Sequence, residues 1–452
     1  VFKLQFLPLV YRPPRDFLPV LPSAPVGNIL GFKYMRDRGN GKGGKLEYFR
    51  YVGVGRDLLL NFPTLFAIDG WEGPHTVLIS CTSYAPGTPA YHIREQPTVL
   101  LEPASRNDAA GDAGIGESEF FFKPQQNAGD YGGYIALSGL PPQRRQKEAR
   151  EMAKAICYRP GRAKSLLDGL FELLEEKQQQ EPQWWHDRQR LLLVTNSYDE
   201  AEWVESSLRE FYPNGVTSID EIAVLRRDNA PADLRGIRRG EVRDVKQRSV
   251  KILVAPLMAL ERGHNILNDR RLAAFGGAVF FSRPMPVPDD WQATVRQLNH
   301  WALANYANLG LYASIPKRGK KLTLANVENE FYQYAIAQML ELNCRAMSYK
   351  QLTDDERNVL AWTQLVSIWQ IIGRLVRGGV PCLVHFLDVK FAPQSAEGER
   401  DLATTSLLVG ILEALQQEIE GDRKRHEQTL ARSLYGAFFN ALKATQNFNY
   451  DL

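Results

Sequence analysis

Residues 191–201, Leu-Leu-Leu-Val-Thr-Asn-Ser-Tyr-Asp-Glu-Ala, pass from four apolar residues through a polar turn into a helix-length segment at 200–211. Further short apolar runs stand at 222–225, 250–254, 278–281 and 382–387, a buried strand is also expected at 76–79, and residues 103–133 have the composition of loops. Continuous apolar strands separated by helices are typical of a parallel sheet that is buried on both faces. The sequence therefore predicts an α/β fold with helices on both faces of a parallel sheet, a helical insertion near 301–360 and helices after residue 396.

The composition is ordinary for a globular protein. The 452 residues include 55 Lys and Arg against 52 Asp and Glu, which gives a net charge of +3. Because this charge is small, any surface that binds nucleic acid must be a local cluster of basic residues. The four cysteines are far apart, which excludes a disulfide framework and a zinc finger and favours the cytoplasm. No apolar run reaches the roughly 18 residues that span a membrane, so we expect no membrane partner. Because the first residue is Val1, we expect a piece of a longer polypeptide.

Residues 39–45, Gly-Asn-Gly-Lys-Gly-Gly-Lys, match the phosphate-binding pattern G-x-x-x-x-G-K. Residue 46 is Leu, however, where Ser or Thr would hold magnesium, and strands are predicted on both sides, at 29–35 and 46–54. A hairpin lacks the helix N-terminus that gives such a loop its affinity for anions. We therefore expect the tip of a β-hairpin here and no nucleotide site.

Residues 370–379, Gln-Ile-Ile-Gly-Arg-Leu-Val-Arg-Gly-Gly, carry the most informative chemistry. On a helix, Gln370, Arg374 and Arg377 would share one face. Gly373 would let a backbone or a phosphate approach closely. Two guanidinium groups suit the spread negative charge of a phosphoryl group in transfer. An ordinary surface helix with two arginines is the other interpretation of this pattern.

This segment resembles motif VI of superfamily 2 helicases, and further helicase-like segments precede it in the expected order. Residues 77–82 (VLISCT) resemble motif III, 191–201 motif IV, 252–266 motif V, and 278–289 the Leu-Pro-Phe-x-x-Pro segment of the DinG/XPD branch. After motif VI, residues 384–391 resemble the closing strand of that branch, with Lys390 where an Arg usually stands. Asn265 replaces the Asp of many motif V sequences.

The resemblance implies a second RecA-like motor lobe that follows the end of a first lobe. The implied parts are a β-rich segment with the end of the first lobe (1–100), a linker and helical connector (101–185), the second lobe (186–300 and 361–395), the helical insertion (301–360) and the C-terminal helices (396–452). The phosphate-binding loop and the acidic box of the first lobe are missing from the sequence. ATP and magnesium would therefore be held mainly by a first lobe from the same polypeptide or another subunit.

The resemblance also assigns roles to individual residues. Arg377 would be the arginine finger, Arg374 would lie beside it on the triphosphate, and Gln370 would fix the helix against the nucleotide. The candidate groups near the nucleotide and the lobe interface are Glu261, Gly263, Asn265 and Gly373. The candidate contacts to the strand backbone are Thr195, Ser197, Arg262 and His264, and the candidate coupling residues are Ser80 and Thr82. No metal ligand is predicted.

The predicted function is thus the C-terminal motor region of an ATP-dependent helicase or translocase. Single-stranded DNA is the expected partner because the DinG/XPD branch mostly acts on DNA, and RNA stays open. Nine basic and four acidic residues between positions 226 and 251 could line the path of a strand or form a solvated surface. For His264, a structural role is an equal alternative.

Two other functions stay open. A degenerate RecA-like scaffold would bind nucleic acid or partner proteins without hydrolysing ATP. An intact first lobe in the natural polypeptide would favour the motor, and a native start near Val1 would favour the scaffold. A nuclease centred on Asp388 is the third interpretation, but no further Asp stands among the twenty residues before it.

Overall fold

The apolar runs of the sequence form strands of one sheet. A computed structural model of the chain describes residues 30–36, 44–50, 63, 67, 70, 73–80, 82–88, 91–93, 96–101, 113–127, 132–158, 161, 163–212, 215, 218–228, 236–260, 265–285, 297–298, 300–302, 304–305, 309–313, 321–343 and 349–451. The chain divides into two compact units. The first comprises Val1–Gln96 and Pro286–Ala346, and the second comprises Pro97–Met285 and Met347–Leu452.

The first unit contains an antiparallel hairpin. Its strands, β1 (Leu30–Arg36) and β2 (Gly44–Arg50), pair along their full length. This pairing confirms the predicted hairpin. Gly44 and Lys45, the last two residues of the pattern at 39–45, lie in a strand and not at the N-terminus of a helix, and residues 39–43 lie outside the described residues.

The second unit is built on a seven-stranded sheet in which all neighbouring strands run parallel. The strands are β3 (Glu119–Phe122), β4 (Leu191–Thr195), β5 (Ile222–Arg226), β6 (Gly236–Arg238), β7 (Ile252–Pro256), β8 (Gly277–Phe280) and β9 (Leu383–Phe386). Their order across the sheet is β3-β9-β8-β4-β7-β5-β6. After β4 the chain forms β5, β6 and β7 on one side of β4, and it then forms β8 and β9 on the other side. The connections therefore change sides between the neighbouring strands β4 and β8. The arrangement confirms the predicted α/β fold and is consistent with a RecA-like lobe.

The described helices of at least 13 residues are α1 (Pro142–Cys157), α2 (Leu166–Gln180), α3 (Tyr198–Phe211), α4 (Leu324–Asn343), α5 (Asp354–Leu375), α6 (Leu407–Ile419) and α7 (Arg425–Lys443). One-turn helices lie at Ala113–Gly116, Pro182–Trp185, Leu257–Leu260, Leu309–Tyr312 and Pro393–Ala396. Segments of 3-10 helix lie at Ile219–Glu221, Arg239–Gln247, Tyr349–Gln351 and Val389–Phe391. Among the described helices, none combines the length and the apolar character needed to cross a bilayer.

Side chains along each strand alternate between two buried faces. On one face, Leu191 and Leu193 belong to a core that includes residues of α1, α2 and α3. On the opposite face, the rings of Phe280 and Phe386 stack with centroids 5.3 Å apart, and both contact Phe391. Helices therefore cover both faces of the sheet, as the continuous apolar runs predict.

Side-chain caps fix where helices begin. The Ser165 hydroxyl accepts a hydrogen bond from the backbone N–H of Asp168, and the Asp168 carboxylate accepts one from the backbone N–H of Ser165. The hydroxyl of Tyr212 also donates to Asp168, at 2.6 Å, and so ties the end of α3 to the start of α2. Such caps satisfy backbone donors that have no partner within the helix.

Two local predictions differ from the structure, and one strand was not predicted. Residues 76–79 are not a buried strand: they lie outside any sheet, and Val77 and Ile79 are 72% and 97% exposed. An apolar run becomes a buried strand only where a neighbour accepts its backbone hydrogen bonds. Residues 119–122, within the predicted loop region 103–133, form β3 because they pair with β9. The three residues of β6 carry too little periodicity to be predicted.

Arg188 holds together the segments at the amino-terminal edge of the sheet. Its side chain is fully buried and donates five hydrogen bonds of 2.8–3.0 Å, all to backbone carbonyls. The acceptors are Trp184, Ala273, Phe275, Leu375 and Pro381. Burial lowers the pKa of Arg188 to about 10, so the guanidinium stays charged at neutral pH. That charge also complements the negative end of α5, which ends at Leu375.

Replacing Arg188 with Met should destabilise the protein by about 3–5 kcal/mol, because several buried carbonyls lose their donor at once. The free energy of unfolding from urea titration measures this loss. Arg190→Met is the matched control, since within the described part of the chain Asp187 is the only polar partner of the Arg190 side chain, and it should cost less than about 1 kcal/mol. Equal losses in the two variants would contradict the role of Arg188.

His385 is a buried, neutral histidine of β9. It is 1% exposed and stacks on Phe121 with ring centroids 4.5 Å apart, and neither ring nitrogen has a hydrogen-bond partner within the described part of the chain. Burial, with a smaller contribution from the charge of Lys123, lowers the pKa of His385 to about 3. In an unfolded chain the imidazole titrates near pH 6.5. Between these two pH values, only the unfolded chain binds this proton.

We therefore expect acid to destabilise the protein through His385. Its contribution is complete above about pH 6.5 and is lost toward pH 3, at about 1.4 kcal/mol per pH unit. His385→Phe keeps the stacked ring and should remove this part of the pH dependence, which is measured as the free energy of unfolding between about pH 7 and pH 5. The control, His426→Ala, removes an exposed imidazole. An unchanged pH dependence in His385→Phe would contradict a buried neutral ring.

Candidate functional site

The segment 370–379 forms the end of α5 and the turn that follows it. The helix ends at Leu375, and Gly378 and Gly379 then adopt φ angles of +86° and +74°. A Cβ at Gly378 would also lie 2.6 Å from Cδ2 of Leu272. The turn therefore needs glycine for both its conformation and its packing.

The two arginines of this segment differ in exposure. Arg377 lies in the turn after α5, so the prediction that it shares a helix face with Gln370 and Arg374 is wrong. Arg374 is only 7% exposed, whereas Arg377 and Gln370 are partly exposed. The space beside Gly373 is open, since no atom of the described residues, apart from the adjoining residues and backbone of its own helix, would lie within 4 Å of a Cβ there. An anion that approaches from outside can reach Arg377 more readily than Arg374.

Residues 265–274 lie against this turn. The backbone N–H of Ala273 donates to the carbonyl of Arg377 at 3.0 Å, and that of Ala274 donates to the carbonyl of Ile266 at 3.0 Å. Asn265, which is exposed, directly precedes Ile266. The structure thus places the residues that directly follow the motif V-like segment against the turn that ends the motif VI-like segment, at the amino-terminal edge of the sheet. The predicted site residues Glu261, Arg262, Gly263 and His264 lie outside the described residues.

The two hydroxyl groups predicted to contact a strand serve the fold. Thr195 is fully buried, and its Oγ1 donates to the carbonyl of Ser197 at 3.2 Å. The Oγ of Ser197 accepts from the backbone N–H of Glu200 at 3.1 Å and so caps α3. Burial places Thr195 beyond the reach of a strand. Ser197 is partly exposed, and because the cap uses only an acceptor position of its hydroxyl, its predicted contact to a strand stays a prediction.

Buried carboxylates organise the carboxyl-terminal edge of the sheet. Glu200 accepts hydrogen bonds from the hydroxyl of Ser282 at 2.5 Å and the backbone N–H of Asn196 at 3.4 Å, and burial raises its pKa. Asp388 accepts from three backbone N–H groups, each at 3.0 Å, those of Ser138, Arg283 and Lys390. Among the described residues, no group of three His, Cys, Asp or Glu side chains is placed to hold a metal ion. These contacts favour a structural role for Asp388 over the nuclease interpretation.

Ser80 and Thr82, the predicted coupling residues, belong to the first unit. Ser80 is exposed, and its Oγ accepts from the backbone N–H of Thr82 at 3.2 Å. Thr82 is 6% exposed. They follow the exposed residues 76–79, so the buried strand expected before a motif III turn is not formed.

The basic stretch 226–251 divides into two groups. Several of its side chains pair with glutamates at 3.4–3.9 Å: Arg226 with Glu202, Arg238 and Arg248 with Glu241, and Lys251 with Glu221. The guanidinium of Arg227 instead lies 4.8 Å from the ring centroid of Tyr198. Sequence reasoning missed Tyr198. Its position shortly after β4 could have indicated a site, because the carboxyl ends of parallel strands lie at the same edge of a sheet.

Comparisons with known proteins assign no function to this arrangement. No protein-family model matches the chain, and no curated protein matches it. The chemistry of the site therefore rests on its own geometry.

The difference in burial predicts different costs of the two arginine substitutions. Arg374→Ala should destabilise the fold by about 1–3 kcal/mol, because the substitution removes a buried side chain together with its packing. Arg377→Ala should change stability by less than about 0.5 kcal/mol, since its side chain is partly exposed. Urea titration of both variants checks this, and a larger loss in Arg377→Ala would contradict the described burial.

Proposed function

We propose that this chain is the second motor lobe of a nucleic-acid-dependent ATPase, a helicase or translocase. The observation that carries the proposal is the arrangement at the amino-terminal edge of the sheet. There, the partly exposed Arg377 lies near the open surface of Gly373 and against residues 265–274. The parallel sheet and the order of the helicase-like segments along the chain support the same proposal.

Arg377 would act on a phosphate that arrives from outside this lobe. ATP and Mg²⁺ would be held mainly by a first RecA-like lobe, and Mg²⁺ would neutralise charge on the phosphate oxygens. During phosphoryl transfer, negative charge spreads over three oxygens, which a guanidinium can contact with two parallel N–H groups. The main chain of Arg377 is held by Ala273, so binding would cost little backbone freedom.

Arg374 and Gln370 would support this contact. Because Arg374 is 7% exposed, its burial favours a positioning role at the end of α5 over direct contact with the triphosphate. Gln370 is partly exposed one helical turn earlier, where it could meet the same ligand. A single strand of DNA is the proposed partner of the lobe, and RNA is the alternative.

A second candidate function is a scaffold that binds nucleic acid or proteins without hydrolysing ATP. The exposure of residues 76–79 favours this candidate, because the resemblance to a motor calls for a buried strand at that position. The burial of Thr195, a predicted strand contact, also agrees with it.

The test is single-strand-stimulated ATP hydrolysis by the longest natural polypeptide that contains this sequence. Arg377→Ala should lower the stimulated rate by about 10³- to 10⁵-fold, the usual cost of removing an arginine finger. Arg400→Ala is the control: it removes an exposed arginine that pairs with Asp451 in the same unit, and should keep the full rate.

Each outcome separates the candidates. Stimulated turnover that survives in Arg377→Ala would overturn the role of this arginine. A folded wild-type protein that binds a strand but hydrolyses no ATP would leave the scaffold as the function.

A further inference from the structure

A group of unpaired charges lies at the carboxyl-terminal edge of the sheet, at its β5–β6 side. Within the part of the chain that the structure describes, Arg227 and Arg239 form no ion pair with a carboxylate, although other basic side chains of the stretch 226–251 pair with glutamates. Arg227 is exposed and Arg239 is partly exposed. Their positive charge is therefore available to a ligand.

The parallel sheet explains why these arginines meet Tyr198. Tyr198 is the first residue of α3 and follows β4, Arg227 follows β5, and Arg239 follows β6. Since the strands are parallel, all three positions lie at the same edge. The sequence places them up to 41 residues apart, and only the strand order brings them together.

Tyr198 offers the second kind of contact in this group. The guanidinium of Arg227 lies 4.8 Å from its ring centroid. Burial raises the pKa of the Tyr198 phenol, and the charge of Asp228 adds to that rise, whereas the charges of Arg239 and Arg227 oppose it, which places all three charged groups near the phenol. Tyr198 remains partly exposed. A partly exposed ring flanked by two unpaired cations matches the chemistry of a base and its phosphates.

The N-terminus of α3 adds to the positive electrostatic potential around this group. The helix has 14 residues and begins at Tyr198, so the positive end of its dipole points to the same edge. Acidic side chains also lie here: Asp199 in the first turn of α3, and Asp228, whose Oδ1 accepts from the backbone N–H of Gly240 at 2.8 Å. This hydrogen bond holds the turn after β5 against the start of the 3-10 segment that carries Arg239.

We infer that Tyr198, Arg227 and Arg239 form a binding site for a single nucleic-acid strand, with phosphates on the two arginines and a base stacked on the tyrosine. A single strand fits better than a duplex, because the bases of a duplex already stack on one another and leave none for Tyr198. This inference deepens the nucleic-acid part of the proposed function. It does not depend on ATP, so the two can fail separately.

The test is equilibrium binding of this chain to a fluorescein-labelled oligothymidylate of about 20 nucleotides, followed by anisotropy without nucleotide. An oligouridylate of the same length distinguishes DNA from RNA as the source of the strand. Arg227→Ala/Arg239→Ala should weaken binding and reduce the slope of log affinity against log salt by about 1.4, or about 0.7 for each phosphate that no longer meets an arginine.

The control variant is Arg248→Ala/Lys251→Ala, which removes the same charge from side chains that pair with glutamates. It should keep most of the affinity and the slope. Tyr198→Ala should weaken binding by about 5- to 150-fold, the range for one base that no longer stacks, and Tyr198→Phe should retain it. Inorganic polyphosphate, which has no bases, should bind Tyr198→Ala as well as wild type. Circular dichroism and thermal melting verify that each variant folds.

Three outcomes would overturn the inference. The first is a wild-type chain that binds neither oligonucleotide, and the second is an equal loss of affinity in the two double variants. The third is a loss of polyphosphate binding in Tyr198→Ala as large as its loss of oligothymidylate binding, which would reduce the site to a patch for any polyanion. Strand binding that disappears in Arg227→Ala/Arg239→Ala would support the site even if the longest polypeptide hydrolysed no ATP.

Discussion

The buried guanidinium of Arg188 makes the interactions on which the amino-terminal edge of the sheet depends. In a parallel sheet every strand begins at this edge, so loops that are distant in sequence crowd together with backbone carbonyls that need donors. Arg188 donates to five of them, before β8, before β9 and at the end of α5 among other places. One side chain therefore fixes the end of α5 beside residues 273–275. The same arrangement places Arg377 against residues 265–274. The hydrogen bonds of Arg188 therefore contribute both to the stability of the fold and to the position of the proposed phosphate contact.

The proposed phosphate contact and the proposed strand-binding site lie at opposite edges of the sheet. Arg377 and the open surface of Gly373 lie at the amino-terminal edge, whereas Tyr198, Arg227 and Arg239 lie at the carboxyl-terminal edge. In our account, the first edge meets a phosphate presented by another lobe and the second binds a strand. Both edges belong to one well-packed core, so movement of this unit would carry both sites together. Buried carboxylates such as Asp388 hold the loops at the carboxyl-terminal edge by accepting hydrogen bonds from their backbone N–H groups.

The sequence predicts much of the fold, because five strands are continuous apolar runs separated by helices with recognisable caps. It fails where a strand depends on its partner: residues 76–79 have the composition of a strand but pair with none of the described strands, and residues 119–122 become one only beside β9. The candidate site likewise combines features that a local sequence pattern predicts with features that depend on tertiary contacts. The segment 370–379 is visible as a local pattern, but the burial of Arg374 depends on tertiary packing. The group around Tyr198 arises from strand order, which no local pattern contains.

The central claim is that the end of α5 contacts a nucleotide held elsewhere, and hydrogen–deuterium exchange tests it most directly. The measurement compares the longest natural polypeptide alone and with ADP, aluminium fluoride and Mg²⁺, which together imitate a phosphoryl group in transfer. We expect slower exchange at residues 370–379 and 265–274 in the nucleotide-bound state, with no such change in peptides of α6 and α7. Unchanged exchange at both segments, in a protein that demonstrably binds the nucleotide, would contradict the account.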